Sequence, residues 1–491
     1  MYKTFLILKY LRKRRIAWVS LMAVVLCTTM VIVVMSVMGG WLSMFRESQR
    51  GLIGDVIITR RSWSGFPYYQ EIIDELKAKV PEVKAAVPAI QTFGLININN
   101  AIRSGVQVYG YPIDQIGEVN AFPQSLYRQR RAATDPHLSA ADRALAQAAA
   151  TQPASFDPPL APELYRFIKS ESKSDPAKWP GMIVGDGVVG VRKRDDGTIG
   201  SRDGLLRAWA QLTLVGIDDE GSQSDLINQK AMPTFWIVDN SRTKFYQQDE
   251  NTVYVDFSLL QRELRMGEDE YTDAKTGEKV KVPARTSNIQ ISVKPGFKPA
   301  DVTNKVREVA AGVMLRHNYD MITHDIYVNT WEEMQADFIN AIEHEIVLTT
   351  LLFAIISIVA VFLIFCIFYM IVVEKTRDVG IIKSVGATSS GVAGIFLGYG
   401  LAIGLIGGGL GLLVSYVIVH NINELHAALG KYLGIEMWNA KTYMFDSIPN
   451  TLDPKKVAII VSVAVISSVV GSLIPAIRAA RMNPVEALRW E

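Results

Sequence analysis

IVLTTLLFAIISIVAVFLIFCIFYMIVV, from Ile346 to Val373, contains no Asp, Glu, Lys or Arg and is bounded by Glu345 and Glu374. A helix needs about 20 apolar residues to cross a bilayer, and this run is longer than that. Outward from it, three more gaps in charge have the same character: Arg15 to Arg46, Lys383 to Glu424 and Lys456 to Arg478. Four spans are predicted, at 17–40, 346–373, 391–419 and 457–477. They separate a cytoplasmic 1–16, an external 41–345, a cytoplasmic 374–390, an external loop 420–456 and a cytoplasmic tail 478–491. The expected fold class is an α+β membrane protein: four transmembrane helices with a large extracytoplasmic mixed α/β domain of two lobes between helices 1 and 2.

Composition alone leaves the class open, since 49% hydrophobic and 20% charged residues also suit a soluble enzyme. The formal net charge of +2 averages basic membrane-proximal segments with a mixed-charge middle and carries no nucleic-acid signature. Lys3, Lys9, Arg12, Lys13, Arg14 and Arg15 precede the first span, which the positive-inside rule places in the cytoplasm. Four spans return Arg478, Arg481 and Arg489 to the same side, as they do the connector with Lys375, Arg377 and Lys383. A cleaved signal peptide is the rival reading of the first segment, because Ser36, Gly39 and Gly40 follow its apolar run. Ile16–Met38 exceeds the roughly 7–15 residues of a signal core and no Ala-x-Ala site closes it, so a retained anchor is the preferred reading. Both cysteines, Cys27 and Cys366, fall in predicted spans, so the external part has no disulfide framework and depends on core packing.

In that part, Asp55–Arg60 reads as a strand, Tyr68–Val80 as an amphipathic helix, and Val87–Ile98 and Val106–Tyr109 as strands. Asn288–Lys294, a helix around Ala300–Met314 and Ile326–Asn329 repeat the β-α-β order near the far end. One lobe is expected from about 50–115 and 287–330, with an inserted β-rich lobe over about 116–286 containing Ala208–Val215, Phe235–Val238 and Val253–Val255. Residues 124–180 break the rhythm with an Ala-rich, then Pro-rich, then charged run, and read as an insertion: either a solvated loop or a partner-binding arm.

Catalytic constellations are thin. The six histidines form no H-E-x-x-H pattern, so no metal and no catalytic residue are assigned. A formal G-x-G-x-x-G at Gly185, Gly187 and Gly190 precedes VRKRDDGTIG, too polar and Gly-broken for a dinucleotide-binding helix; a turn between β segments accounts for it. No G-x-x-x-x-G-K-[ST] appears, so any nucleotide hydrolysis belongs to another polypeptide. The spans lack ionisable residues, which disfavours a proton relay or ion pathway.

Two segments remain. Gly400, Gly404 and Gly408 stand four residues apart in the third span, with Gly407 and Gly411 one position round, a spacing that lets helices approach closely within the unit or across a dimer. VVEKTRDVGIIKSVGATSSGVAGIF (Val372–Phe396) places Glu374, Arg377 and Asp378 at the membrane edge and Val379, Ile382 and Val385 at helical spacing, which suits a short interfacial helix; an inert connector is the alternative.

This connector closely resembles the signature of the FtsX-like permeases, the membrane subunits of mechanotransmission ABC systems, MacB-type and LolC/LolE-type proteins among them. The ending IPAIRAARMNPVEALRWE (Ile474–Glu491) is similar to the family's closing pattern. FLILKYLRKRR and VMSVMGGWLSMFRESQRGLIGDVIITRR (Val34–Arg61) resemble the lipoprotein-releasing LolC/LolE branch, as does PGMIVGDGVVG (Pro180–Gly190). The insertion 124–180 has no counterpart, and the N-terminal ATPase of MacB proteins is not matched, since about 16 residues precede the first span.

The resemblance implies a permease subunit in the cytoplasmic (inner) membrane, multi-pass, with both termini cytoplasmic and the large domain periplasmic. It implies no ATPase activity or cofactor in this chain: ATP and Mg would be bound by a partner ABC ATPase dimer. Glu374, Lys375, Arg377, Val379, Gly380, Ile382, Lys383, Val385 and Gly386 would be the ATPase-coupling segment. Further implied partners are a second permease subunit, identical or related, membrane lipids, a lipoprotein client and a periplasmic carrier; nucleic acid is not one. Extraction of a lipid-anchored client is the leading expectation. An FtsX-type scaffold activating an external enzyme, a MacB-like efflux component and a membrane-bound enzyme are the alternatives.

Overall fold

The computed structural model describes residues 15–62, 64–98, 102–131, 144, 147, 150–157, 178–189, 209–216, 228–243, 245–272, 279–434, 438, 445 and 447–488. The basic cluster Lys3–Arg14, most of the insertion 124–180, Gly190 and Arg489 lie outside the described residues. The chain divides into two compact units, one comprising Met1–Met44, Asp337–Trp438 and Ser447–Glu491, the other Phe45–Ala336 and Asn439–Asp446.

The first unit is helical. Among the described residues, four helices are long and apolar enough to cross a membrane: Arg15–Ile53, Ala336–Glu374, Ser389–His420 and Pro454–Arg481. The first two have 39 residues each, about 58 Å at 1.5 Å per residue, against a hydrocarbon core of roughly 30 Å. They therefore outrun the expected spans 17–40 and 346–373. The cause is local: Ala336–Glu345 is polar but free of Gly and Pro, so nothing stops the helix where the apolar run stops. The third helix starts at an N-cap, Thr388, whose hydroxyl accepts from Gly391 N, and the fourth at Asp453, whose carboxylate accepts from Lys455 N. The segment expected as a plain loop, 420–456, begins instead with an amphipathic helix, Ile422–Leu433, closed by Gly434 in the left-handed region at φ 65°.

The second unit is built on a nine-stranded sheet in the order Ile326–Thr330, Val56–Arg60, Asn288–Val293, Val83–Ile98, Ile102–Tyr111, Thr252–Asp256, Gly181–Gly185, Asn228–Ser241 and Trp209–Gly216. The 16-residue strand Val83–Ile98 changes partners along its length. Its first half, Val83–Ala89, pairs with Asn288–Val293; its second half pairs with Ile102–Tyr111 on one side and Trp209–Gly216 on the other. The last six strands of the order thereby close into a ring. Ile90, Ile96, Ile98, Val108, Val184, Val253 and Leu212 fill it, while Phe93 and Leu95, on the opposite face of the same strand, are exposed.

The open part of the sheet is covered by helices Tyr69–Lys79 and Pro299–Arg316, whose Ile72, Leu76, Val306, Ala310 and Val313 pack on Val56, Ile58, Ile289 and Ile291. Asp55, buried where the first long helix ends, accepts from Arg50 Nε at 2.7 Å and from Val293 N at 2.8 Å. Thr330 and Glu333 form a capping box at the sheet's exit. Gly185–Val189 is a strand end and turn, with Gly185 and Gly187 against the backbone of Asp249 and Glu250, so close approach accounts for those glycines. On the surface, Arg316 donates to Glu71 at 2.8 Å and to Glu75, and Arg316 and His317 together hold the Glu71 carboxyl below its ordinary value of 4.5.

Candidate coupling site

Two features of the helical unit bear on how motion could pass along it: the seam of the third long helix and the short helix that precedes it. In the seam, a Cβ on Gly404 would stand 2.9 Å from Val465 Cα, and one on Gly400 would overlap Ser472, both on the fourth helix. Gly407 and Gly411 face the first helix instead, their added Cβ atoms 2.8 Å from Val24 Cγ1 and 2.8 Å from Thr28 Cβ. Gly408 is looser, with Val461 Cγ1 at 3.4 Å. Small residues thus bring the third helix onto two neighbours at once, and the packing is within the chain. Gly471 does the same for the fourth helix against the second, where Val361 O and Ile364 Cγ2 both lie 3.0 Å from a built Cβ. The sequence reading missed it, although Ser468 and Ser472 bracket it at small-xxx-small spacing.

The second long helix ends at Glu374, and a nine-residue helix, Thr376–Ser384, follows at once. Val379 is buried among Phe368, Val392, Phe396, Tyr399 and Ala476, and Gly380 is buried beside it. Lys383 Nζ donates to the carbonyls of Ala480 and Met482, both at 2.7 Å, capping the end of the fourth helix. Lys375 pairs with Asp378. The closing helix Pro484–Leu488 lies against Thr376–Ser384, with Ala487 buried, so the connector and the chain's ending, far apart in sequence, meet in space.

These positions redistribute the expected coupling residues. Val379, Ile382 and Val385 do not share one face: at about 100° per residue, steps of three drift backwards, and Val385 stands about 120° from Val379. Val379 and Gly380 face inward, Ile382 and Lys383 are half-buried, and Val385 is 84% exposed. The open face is formed by Arg377, Ile381, Ser384 and Val385, with Glu374 and Gly386 exposed at its ends. Gly386 adopts φ 105°, which only glycine holds without strain, and ends the helix there. Ile381, 48% exposed, was missed; it lies almost diametrically opposite Val379, and counting i+4 from Arg377 finds it. An exposed apolar pair thus stands beside a cation on a helix that is itself clamped to the second, third and fourth helices.

Residues 350–484 match the family model described as FtsX-like permease C-terminal, a range that holds both features. The lipoprotein-releasing system transmembrane protein LolC of Neisseria meningitidis serogroup B is 29% identical over 166 residues, 34% of this chain and 40% of its own length. The macrolide export ATP-binding/permease protein MacB of Hahella chejuensis is 33% identical over 123 residues, 24% of this chain and 15% of its own. The periplasmic region of MacB from Actinobacillus actinomycetemcomitans, a crystal structure, is aligned over 59% of this chain and 93% of its own at 8% identity, with a TM-score of 0.28. The chain carries an FtsX-like permease domain and is similar in sequence to ABC transporter permeases of the LolC and MacB type.

Proposed function

We propose that this chain is the permease subunit of an ABC machine that turns ATP hydrolysis by a separate cytoplasmic subunit into work outside the membrane, and that the work is release of a lipid-anchored protein. The similarity to LolC supports the client class. In this reading the chain sits in the inner membrane with both termini cytoplasmic. The sheet unit is periplasmic and two-lobed, and a second permease subunit, identical or related, completes the complex. ATP and Mg belong to the partner ATPase dimer. A periplasmic carrier takes the client. Each CH₂ of an acyl chain costs about 0.8 kcal/mol to withdraw from lipid, so extraction needs external energy.

The observation that carries the reading is the open face Arg377–Ile381–Val385. It combines exposed apolar side chains with a cation on a helix whose other side is packed against three spanning helices, so force applied there reaches the membrane helices directly. The test is reconstitution of the full chain with the ATP-binding subunit that co-purifies with it. Ile381→Asp with Val385→Asp should abolish stimulated ATPase activity and client release while leaving insertion and monodispersity intact. Normal rates for both in the correctly inserted double variant would refute the coupling assignment, and robust hydrolysis by the chain alone would refute the division of labour.

A further inference from the structure

The helical unit also holds a cavity that the coupling scheme does not use. It is a half-open groove between the first, second and fourth long helices with a volume of about 400 Å³, within the roughly 300–1,000 Å³ of small-ligand sites. Its walls are apolar, with Val31, Phe353 and Ile460 among them. They follow the first helix from Val24 to Met35 and the fourth from Lys456 to Ser468, about 17 Å along each axis. That is close to one leaflet, half of the roughly 30 Å hydrocarbon core.

Charge stands at one end. Lys456, the charged residue of the lining, is exposed, and its Nζ is 3.3 Å from where a Cβ on Gly39 would be, so the ammonium lies over the bare backbone of the first helix at the mouth. At the other end Thr28 and Ser468 are buried with hydroxyls that lack a partner among the described residues. Rotation about χ1 can bring each to a carbonyl of its own helix, so the deep end accepts a methyl terminus. A slot one leaflet deep, apolar over most of its wall and cationic at the level of the headgroups matches one ligand chemistry. We propose that this groove holds an acyl chain of an anionic phospholipid, with Lys456 on its headgroup phosphate. The inference goes beyond the proposed client release and is independent of it, because occupancy needs neither ATP nor a partner subunit.

The experiment uses the full chain, reconstituted in vesicles of phosphatidylethanolamine and phosphatidylglycerol, re-extracted in mild detergent and weighed by native mass spectrometry. Phosphatidylglycerol should be retained in preference to phosphatidylethanolamine. Lys456→Gln should lower that retention about fivefold, the weight of one cation near an anionic surface, while Lys455→Gln leaves it unchanged. Ala354→Phe, which fills the groove, should remove the lipid altogether. Should that variant fold poorly, a phosphatidylglycerol with a photoreactive tail reads the same site in the unmodified chain by labelling the peptides that contain Val31 and Ile460. Equal retention of the two lipids, insensitivity to Lys456→Gln, labelling elsewhere, or a lipid-anchored protein in place of the phospholipid would each overturn the proposal.

Discussion

The second and third long helices are both charge-free where they would cross the membrane, and the second is the more apolar, yet only 17% of its most apolar window is buried inside the chain against 39% for the third. In water the ranking would run the other way. Among lipid tails an apolar side chain gains nothing by leaving its surroundings, so burial follows shape, and the third helix offers a glycine face while the second offers Leu351, Ile355, Ile358 and Phe362 outward. Hydropathy finds the helix; small residues find its neighbours.

The strongest break of this contrast is on the short helix Thr376–Ser384. Val379→Asp buries a carboxylate among apolar side chains and should cost several kcal/mol, about 3 or more, with loss of monodisperse protein on gel filtration, whereas Ile381→Asp, on the open face, should leave the fold intact. An equal effect of the two would mean that the faces are misassigned. Next come the glycines, compared by alanine substitution and thermal unfolding in detergent. Gly404→Ala meets backbone and should destabilise most, by about 1–3 kcal/mol; Gly407→Ala, which meets the Val24 side chain, should cost less; Gly408→Ala should be nearly neutral; Gly409→Ala, with nothing within 4 Å, should be neutral or slightly stabilising. A uniform loss would replace steric fit by backbone flexibility as the reason for the glycines. Ile358→Ala, on the exposed face of the second helix, should shift stability by less than about 0.5 kcal/mol in the isolated chain.

The smallest effect belongs to the sheet unit. Glu71 is held below its ordinary value of 4.5 by Arg316 and then His317, and Glu75 is lowered by Lys79 and Arg316. A carboxyl lowered on folding contributes stability that is fully present above the unfolded value and is lost as pH falls through the folded one. Hydrogen exchange in Tyr69–Lys79 and Pro299–Arg316 should therefore quicken as pH drops below 4.5, once corrected for intrinsic rates, and Glu71→Gln should flatten the response. Both carboxylates are solvent-screened, so the change is modest and weaker in salt.

Helix existence and type were legible because charge gaps and 3.6-residue periodicity are local signals. The helix ends were less so: hydropathy reports where the membrane is, and Ala336–Glu345 continues the second helix without any apolar run. The glycine stripe could be read as a contact surface, but not which helix each glycine meets, since Gly404 and Gly407 differ by three positions and face different neighbours. The short helix Thr376–Ser384 was legible and its orientation was not, because three valine and isoleucine positions at steps of three suggest a single face that 3.6 residues per turn does not maintain. The ring closure through Val83–Ile98 pairs segments more than a hundred residues apart, and no local pattern encodes it.

The shared strand also sets an order of events during synthesis. Val56–Thr59 pairs with Asn288–Ile291 on one side, and Val56–Arg60 with Ile326–Thr330 on the other, so the first strand made has no neighbour until more than two hundred further residues have followed it. Pairings of such sequence separation form slowly. Throughout that interval Val83–Ala89 has an unpaired edge, which Lys84 and Pro88 guard against the addition of strands of other chains. The ring can close earlier, once Thr252–Asp256 has been made. Biogenesis of this chain therefore has a window, ending only with Thr330, in which Lys84 and Pro88 stand in for the missing neighbours.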